Sequence, residues 1–293
     1  MTYNLAIGDF AYSSWSLRGW LLFDAFGLKA RLTRIDFAGK GVAEQLGAFA
    51  PARTVPALRF EDGTVIGDSL AMAEELASRE PDAGLWPIDP RARAVARALA
   101  GEMHASFSAL RSTCPMNLRL AYTGFEPPED VAMDVRRIEA LWCWARQHVG
   151  AEGPWLAGSY SVADAFFAPV AGRIAGFSIP VSDEAAAYVA AHLGHMPFRR
   201  WRAMALASGA ELPWYAQPYG HTDWPGPTPS PAKVVETGTP ENTQCPYSGK
   251  PVTHLMESSG RVFGFCNAFC RDKTMADPEA WPAFTDLLGT APR

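Results

Sequence analysis

The chain has 293 residues, 48% of them hydrophobic, 19% charged and ten of them tryptophan, which excludes a disordered polymer and exceeds what a single hydrophobic core usually holds. A formal net charge of -5 leaves no basic stripe for phosphates or an anionic membrane surface, so the expected partners are small molecules and not nucleic acid. No stretch approaches the roughly 20 apolar residues of a membrane span, and MTYNLAIGDFAYSSWS has no basic region leading into a long apolar run, so the expected location is cytoplasmic.

In chain order, YNLAI (3–7) reads as a buried strand and is followed by a loop rich in small and hydroxyl residues. Ser13 or Ser14 caps the next helix, whose apolar stripe of Trp15, Leu17, Trp20, Leu21 and Leu22 runs until Gly27. ARLTRIDF alternates like a strand and GVAEQLGAF reads as a short helix. TVPALRF and TVIG are strands around Glu61-Asp62-Gly63, and DSLAMAEELASRE is a capped amphipathic helix. The expected order over 1–86 is β-α-β-α-β-β-α. Past Pro87 and Pro90, residues 91–112, 129–149, 162–176 and 184–208 read as helices with no strand between them, an all-α bundle over 90–211. Residues 212–243 hold seven prolines and form a linker or arm; Trp214, Tyr215, Tyr219 and Trp224 are too apolar for a free tether, so the arm is expected to lie along the helical domain. Residues 244–290 start a compact ββα unit.

Three motifs narrow this order. They are Tyr12-Ser13-Ser14-Trp15-Ser16-Leu17-Arg18 at the first helix, Thr54-Val55-Pro56 before the third strand, and Gly67-Asp68-Ser69 at the last helix of the first domain. Over residues 3 to 210 the chain resembles the cytosolic glutathione S-transferases, and the Ser-Ser-x-x-x-Arg arrangement resembles their zeta class. The resemblance implies a thioredoxin-like N-terminal domain that binds glutathione, an all-α second domain, and a homodimer in which the first domain packs on the partner's helical one.

A serine hydroxyl at a helix N-terminus offers a thiolate both a hydrogen-bond donor and a favourable potential, which lowers the thiol pKa. Ser13 or Ser14 is therefore the expected catalytic residue. The family places its serine first in the pair, which ranks Ser13 ahead of Ser14, with Tyr12 third. Thr54, Val55 and a cis Pro56 are expected to pair with the glutathione backbone as an added strand does, while Asp68 and Ser69 meet its γ-glutamyl end. Trp15, Met103, His104, Phe107 and Arg111 are candidates to face the electrophile. The zeta pattern has Cys where Trp15 stands, a bulky change that is expected to reshape the pocket mouth and weighs against maleylacetoacetate isomerisation. Ser161-x-x-Asp164 is a capping box assigned to folding.

Five cysteines, with Cys114 and Cys143 isolated, do not make a disulfide framework. Cys245-Pro-Tyr-Ser-Gly, then Phe-Cys266-x-x-x-Cys270 at a helix start, brings three thiolates together and resembles YHS and TRASH-type metal-binding modules. Ser248 replaces the second cysteine of that pattern. The fourth ligand is then His254, another side chain or water, with His254 favoured by proximity and zinc placed ahead of iron or copper. The leading expectation is an enzyme that transfers glutathione sulfur to an electrophilic small molecule through a serine-stabilised thiolate. The alternatives are a non-catalytic regulator or scaffold of the same fold with a metal-binding tail, and a zeta-like glutathione-dependent isomerase.

Overall fold

The computed structural model describes residues 3–150, 152–209 and 211–289. The chain divides into two compact units, one running to Leu193 and including Leu212–Pro225, the other comprising Gly194–Glu211 and everything from Gly226 onward.

The first unit begins with β1 (Tyr3–Ile7), α1 (Ser14–Asp24), β2 (Ala30–Arg34), α2 (Val42–Gln45), β3 (Ala57–Arg59), β4 (Val65–Ile66) and α3 (Ser69–Arg79). The sheet order is β2-β1-β3-β4, with β1 and β2 parallel and the other pairs antiparallel. This is the thioredoxin-like half expected from the sequence. Alternation sorts the side chains of β1: Leu5 faces α1, while Ala6 joins Ala57, Ile35, Leu46 and Phe49 in a core on the other side. α1 is buried along nearly its whole length because it packs on β1, α3 and the long helix α7 at once. Leu17, Leu21 and Leu22 are fully buried there, each worth about 2 kcal/mol of removed apolar surface. Gly19 permits the approach of α1 to Pro56, since a Cβ at that position would lie 2.8 Å from the proline ring. The Val55-Pro56 peptide bond is cis.

The helices of this unit are α4 (Pro90–Ala105), α5 (Ser108–Thr113), α6 (Glu129–Val149), α7 (Val162–Gly176) and α8 (Asp183–Gly194). Two of the expected helices are broken. The stretch 91–112 divides at Phe107, whose φ of 63° is left-handed and cannot continue a helix. The stretch 184–208 divides at His195, because Pro197 lacks the amide a continuing helix needs and instead sits in the first turn of α9 (Met196–Ala207). α7 is the central helix and every one of its residues is buried. Its N-terminus carries the expected capping box: the Ser161 amide donates to Asp164 Oδ2 at 2.9 Å, and the same carboxylate accepts from the Leu156 amide and the Tyr188 hydroxyl.

The strandless reading of the helical domain is corrected at one place. β5 (Ala121–Thr123) pairs antiparallel with β6 (Gly220–Thr222), so the proline-rich segment returns to this unit through main-chain hydrogen bonds. Such pairing across nearly a hundred residues leaves no local periodicity.

In the second unit, β7 (Ala232–Val235), β8 (His254–Ser258) and β9 (Arg261–Phe265) form an antiparallel sheet in that order, followed by α10 (Ala268–Ala276) and α11 (Pro282–Gly289). The ββα element is present, with β7 added from the segment read as linker. Ser259 and Gly260, at φ 54° and 73°, make the two-residue turn that the right-handed strand twist prefers. Met256, Phe263, Phe265 and Phe284 form the core. α9 packs on α10, and Arg199 grips the Asp277 carboxylate with two hydrogen bonds at 2.6 and 2.8 Å. α9 thus groups with the C-terminal module, whereas the sequence boundaries at 211 and 243 separate them.

Candidate functional site

The loop between β1 and α1 is tied down by its own polar groups. Asp9 Oδ1 accepts from the amides of Ala11 and Tyr12, and the Ser13 amide donates to Asp9 O at 3.0 Å. Ser16 Oγ accepts from the Gly8 amide at 2.9 Å and from the Ser13 hydroxyl at 2.8 Å, while Ser13 Oγ accepts from the Ser16 amide as the N-cap of α1. Ser13 thus spends its single hydrogen inward.

Ser14 differs. Its Oγ accepts a hydrogen bond from Arg173 Nη2 at 3.2 Å, so its own hydrogen remains to be donated. Arg173, buried on α7, directs Nε to Cys114 O at 2.8 Å and Nη1 to Pro169 O. All three acceptors are neutral. Burial, then the nearby Arg111, lowers the Arg173 pKa to about 10, which leaves it cationic at neutral pH. Burial also pushes the Cys114 thiol up to about 12, so it stays protonated.

Two further guanidiniums stand close by. Arg18 on α1 and Arg111 on α5 both lie over the Trp15 ring, 4.6 and 4.5 Å from its centroid. Arg18 is fully buried, with Nε and Nη1 lacking any hydrogen-bond partner among the described residues. Burial, then Arg173 and Arg111, drives its pKa well below the ordinary value against the opposing pull of Asp68. A cavity of about 420 Å³ opens beside the serines, lined among others by Tyr12, Ser14, Trp15, Arg111, Arg173 and Tyr215. Tyr215 arrives from the segment that returns through β6. Its ring stacks on Tyr12 at 4.5 Å, and the Leu212 amide donates to the Tyr12 hydroxyl.

Of the other sequence candidates, Asp68 caps α3 by accepting from the amides of Leu70 and Ala71, and its second oxygen meets His104 Nε2 at 3.0 Å. Ser69 is buried, and its hydroxyl has no hydrogen-bond partner among the described residues. Thr54 is exposed, Val55 half-buried and Pro56 buried against α1. Trp15 and Arg111 line the cavity, whereas Met103 and Phe107 are core residues outside its lining. Sequence reasoning missed Arg173, which lies 159 positions from Ser14. A basic residue inside an otherwise apolar helix was the available signal.

In the second unit the Sγ atoms of Cys245, Cys266 and Cys270 lie within 4.8 Å of one another, the one such ligand group among the described residues. His254 is not in it; its Nδ1 is 2.9 Å from Thr253 Oγ1. The side chains that do reach the sulfurs are Ser248, whose hydroxyl donates to Cys266 Sγ at 3.2 Å, and Asn267, whose amide donates to the same sulfur at 3.4 Å. Closeness in sequence misled here because strand alternation sets the direction of His254, whereas the turn closed by Gly249, at φ 67°, carries Ser248 back over Cys245. Burial opposes ionisation of Cys245, but hydrogen bonds from the Cys266 and Tyr247 amides and from Ser248 outweigh it and bring the thiol down to about 7. Burial and the neighbouring Cys245 push Cys270 up to about 12.

The model of the glutathione S-transferase N-terminal domain matches residues 12–79, the span that holds α1, the cis proline and Asp68-Ser69. Three solved structures show how far the likeness extends. A glutathione transferase from Methylococcus capsulatus str. Bath has 22% identity and a TM-score of 0.50 over 68% of this chain and 97% of its own. A glutathione transferase homolog from Burkholderia gl BGR1, solved with bound glutathione, has 18% identity and a TM-score of 0.51 over 68% and 95%. Glutathione transferase Omega 2S from Trametes versicolor, in complex with 2,4-dihydroxybenzophenone, has 19% identity and a TM-score of 0.53 over 68% and 93%. The fold is that of the glutathione transferases. No curated protein sequence matches the chain. No helix among the described residues is long and apolar enough to cross a membrane.

Proposed function

We propose that this chain is a glutathione transferase in which Ser14, rather than Ser13, donates the hydrogen bond that holds the glutathione thiolate. The supporting observation is the Arg173–Ser14 contact: a cation donates to Ser14 Oγ, polarises the hydroxyl and leaves its hydrogen available, whereas Ser13 is committed to Ser16. The N-terminal amides of α1 favour negative charge at the same place. Glutathione recognition falls to Thr54, the Val55 backbone, Pro56, Asp68 and the buried Ser69 hydroxyl, with Ser13 keeping the loop in shape. The thiolate then attacks an electrophilic carbon of a second substrate in the adjoining cavity. Retention on immobilised glutathione together with turnover of 1-chloro-2,4-dinitrobenzene tests this. A chain that binds glutathione but turns nothing over is instead a scaffold of the same fold.

The second unit supports a metal reading. A zinc–thiolate bond of about 2.3 Å places two sulfurs of a tetrahedral site about 3.8 Å apart, and Cys266 and Cys270 are 3.9 Å apart as they stand. The donor set fits zinc held by Cys245, Cys266 and Cys270, with Ser248 or water in place of the expected His254. Cys245, Cys266 and Cys270 would hold such an ion, which would supply no chemistry of its own and would tie the turn at Cys245 to the start of α10. Elemental analysis of the purified protein decides this. The family resemblance further implies a homodimer, which light scattering tests.

A further inference from the structure

The cavity beside Ser14 combines two features that the glutathione reading, which draws on Arg173 only through Ser14, leaves unused. The first is uncompensated positive charge. Arg18, Arg111 and Arg173 act on one another electrostatically, and none of them hydrogen-bonds or ion-pairs with a carboxylate among the described residues. Arg111 makes no hydrogen bond or ion pair to any described residue; it rests on Trp15 and projects into the cavity lining. Guanidiniums removed from water without an anionic partner carry a desolvation penalty that a bound anion offsets. The second feature is flatness. Trp15 and the stacked Tyr12–Tyr215 pair present aromatic surfaces to the same cavity, and Tyr215 is contributed by the returning segment 212–225.

Glutathione itself does not account for these groups. Of its expected contacts only Ser13 and Ser14, at the thiol end, line the cavity; Thr54, Val55, Pro56, Asp68 and Ser69 do not, and the rest of the lining is Tyr12, Trp15, Phe37, α5, the start of the chain after it, α7 and the arm. The space belongs to the second substrate.

We propose that the electrophile is a flat aromatic carboxylate, its ring held among Trp15, Tyr12 and Tyr215 and its carboxylate held by Arg111, with Arg173 adding positive potential. This rests on the transferase reading for the reaction but not for the binding. For a halogenated nitrobenzoate the step balances simply. The thiolate attacks the ring carbon bearing chlorine, a C–S bond forms, the C–Cl bond breaks, and chloride leaves with its electron pair. The thiol proton goes to solvent.

The test pairs 4-chloro-3-nitrobenzoate with the neutral isostere 4-chloro-3-nitrobenzamide, each rate divided by its uncatalysed rate with glutathione, in the full chain. A charge-assisted hydrogen bond predicts a preference of about tenfold or more for the carboxylate. Arg111→Ala should collapse that ratio towards one, Arg111→Lys should restore part of it, and rising salt should erode it in the wild type. An equal or reversed preference overturns the proposal, as does a ratio untouched by Arg111→Ala. Calorimetric binding of unreactive 3-nitrobenzoate against 3-nitrobenzamide, with and without saturating glutathione, separates the two readings. No turnover of either electrophile but tighter binding of the benzoate removes the transferase reading and keeps this one. Equal binding, or benzoate binding abolished by glutathione, overturns this one, the latter by assigning the arginines to glutathione's own carboxylates.

Discussion

The start of α1 and the start of α10 are two helix N-termini of opposite chemistry. Around α1, three arginines stand near a pair of hydroxyls, and among the described residues no carboxylate is bonded to any of them. Around α10, Asn267 caps the helix by accepting from the Cys270 amide, and three thiols converge on a turn. The proposed readings assign an anion to the first region and a cation to the second. What distinguishes them is the origin of the neighbours: Arg173 and Tyr215 reach α1 from distant sequence, whereas Cys266 and Cys270 share a single turn of chain.

The largest effect is expected at the sulfurs. Cys266→Ser should abolish metal binding, and chelation of the wild type should lower the melting transition of the second unit while leaving that of the first. A structural zinc site contributes on the order of 10 kcal/mol to folding, so the shift is expected to be large. At the other helix, Ser14→Ala should lower kcat/KM for conjugation about 100-fold, the usual loss when one donor to a developing anion is removed. Steady-state kinetics with a neutral electrophile reads it.

A third prediction sharpens the contrast through acid. Burial, then Arg200, lowers the pKa of His195 in the second unit to about 4 from an ordinary 6.5. The unfolded chain therefore takes up a proton at His195 that the folded chain refuses between these values. The stability linked to His195 is fully present above pH 6.5 and is lost as pH falls towards 4, by about 3 kcal/mol. Denaturant melts of wild type and His195→Asn across this window should show the extra slope only in the wild type. The smallest effect is at Ser13: Ser13→Ala removes a helix cap and should cost about 1 kcal/mol of stability in a denaturant melt, with far less loss of turnover than Ser14→Ala.

Much of this was legible along the chain because local pattern carries it. The strand and helix order of the first half, the cap at Asp68, the box at Ser161 and the Cys266–Cys270 spacing each reside in local stretches of chain, and Cys245 is marked by its own Cys-Pro-Tyr-Ser-Gly turn. Arg173 was not legible, because its partners Ser14 and Cys114 belong to other helices and its own surroundings spell an apolar core helix. Tyr215 and the β5–β6 pairing depend on a chain reversal that no periodicity marks. The resemblance ranks Ser13 over Ser14 by its place in the pair, and no sequence pattern shows that the Ser13 hydroxyl donates to Ser16 while that of Ser14 accepts from Arg173.

Whether Ser14 gives its hydrogen to the thiolate is tested by a spectroscopic titration of the thiol of glutathione bound to the full chain. The predicted result is a thiol pKa well below the free value of about 8.5, raised towards that value in Ser14→Ala and retained in Ser13→Ala. A pKa that stays low in Ser14→Ala and rises in Ser13→Ala would contradict the account.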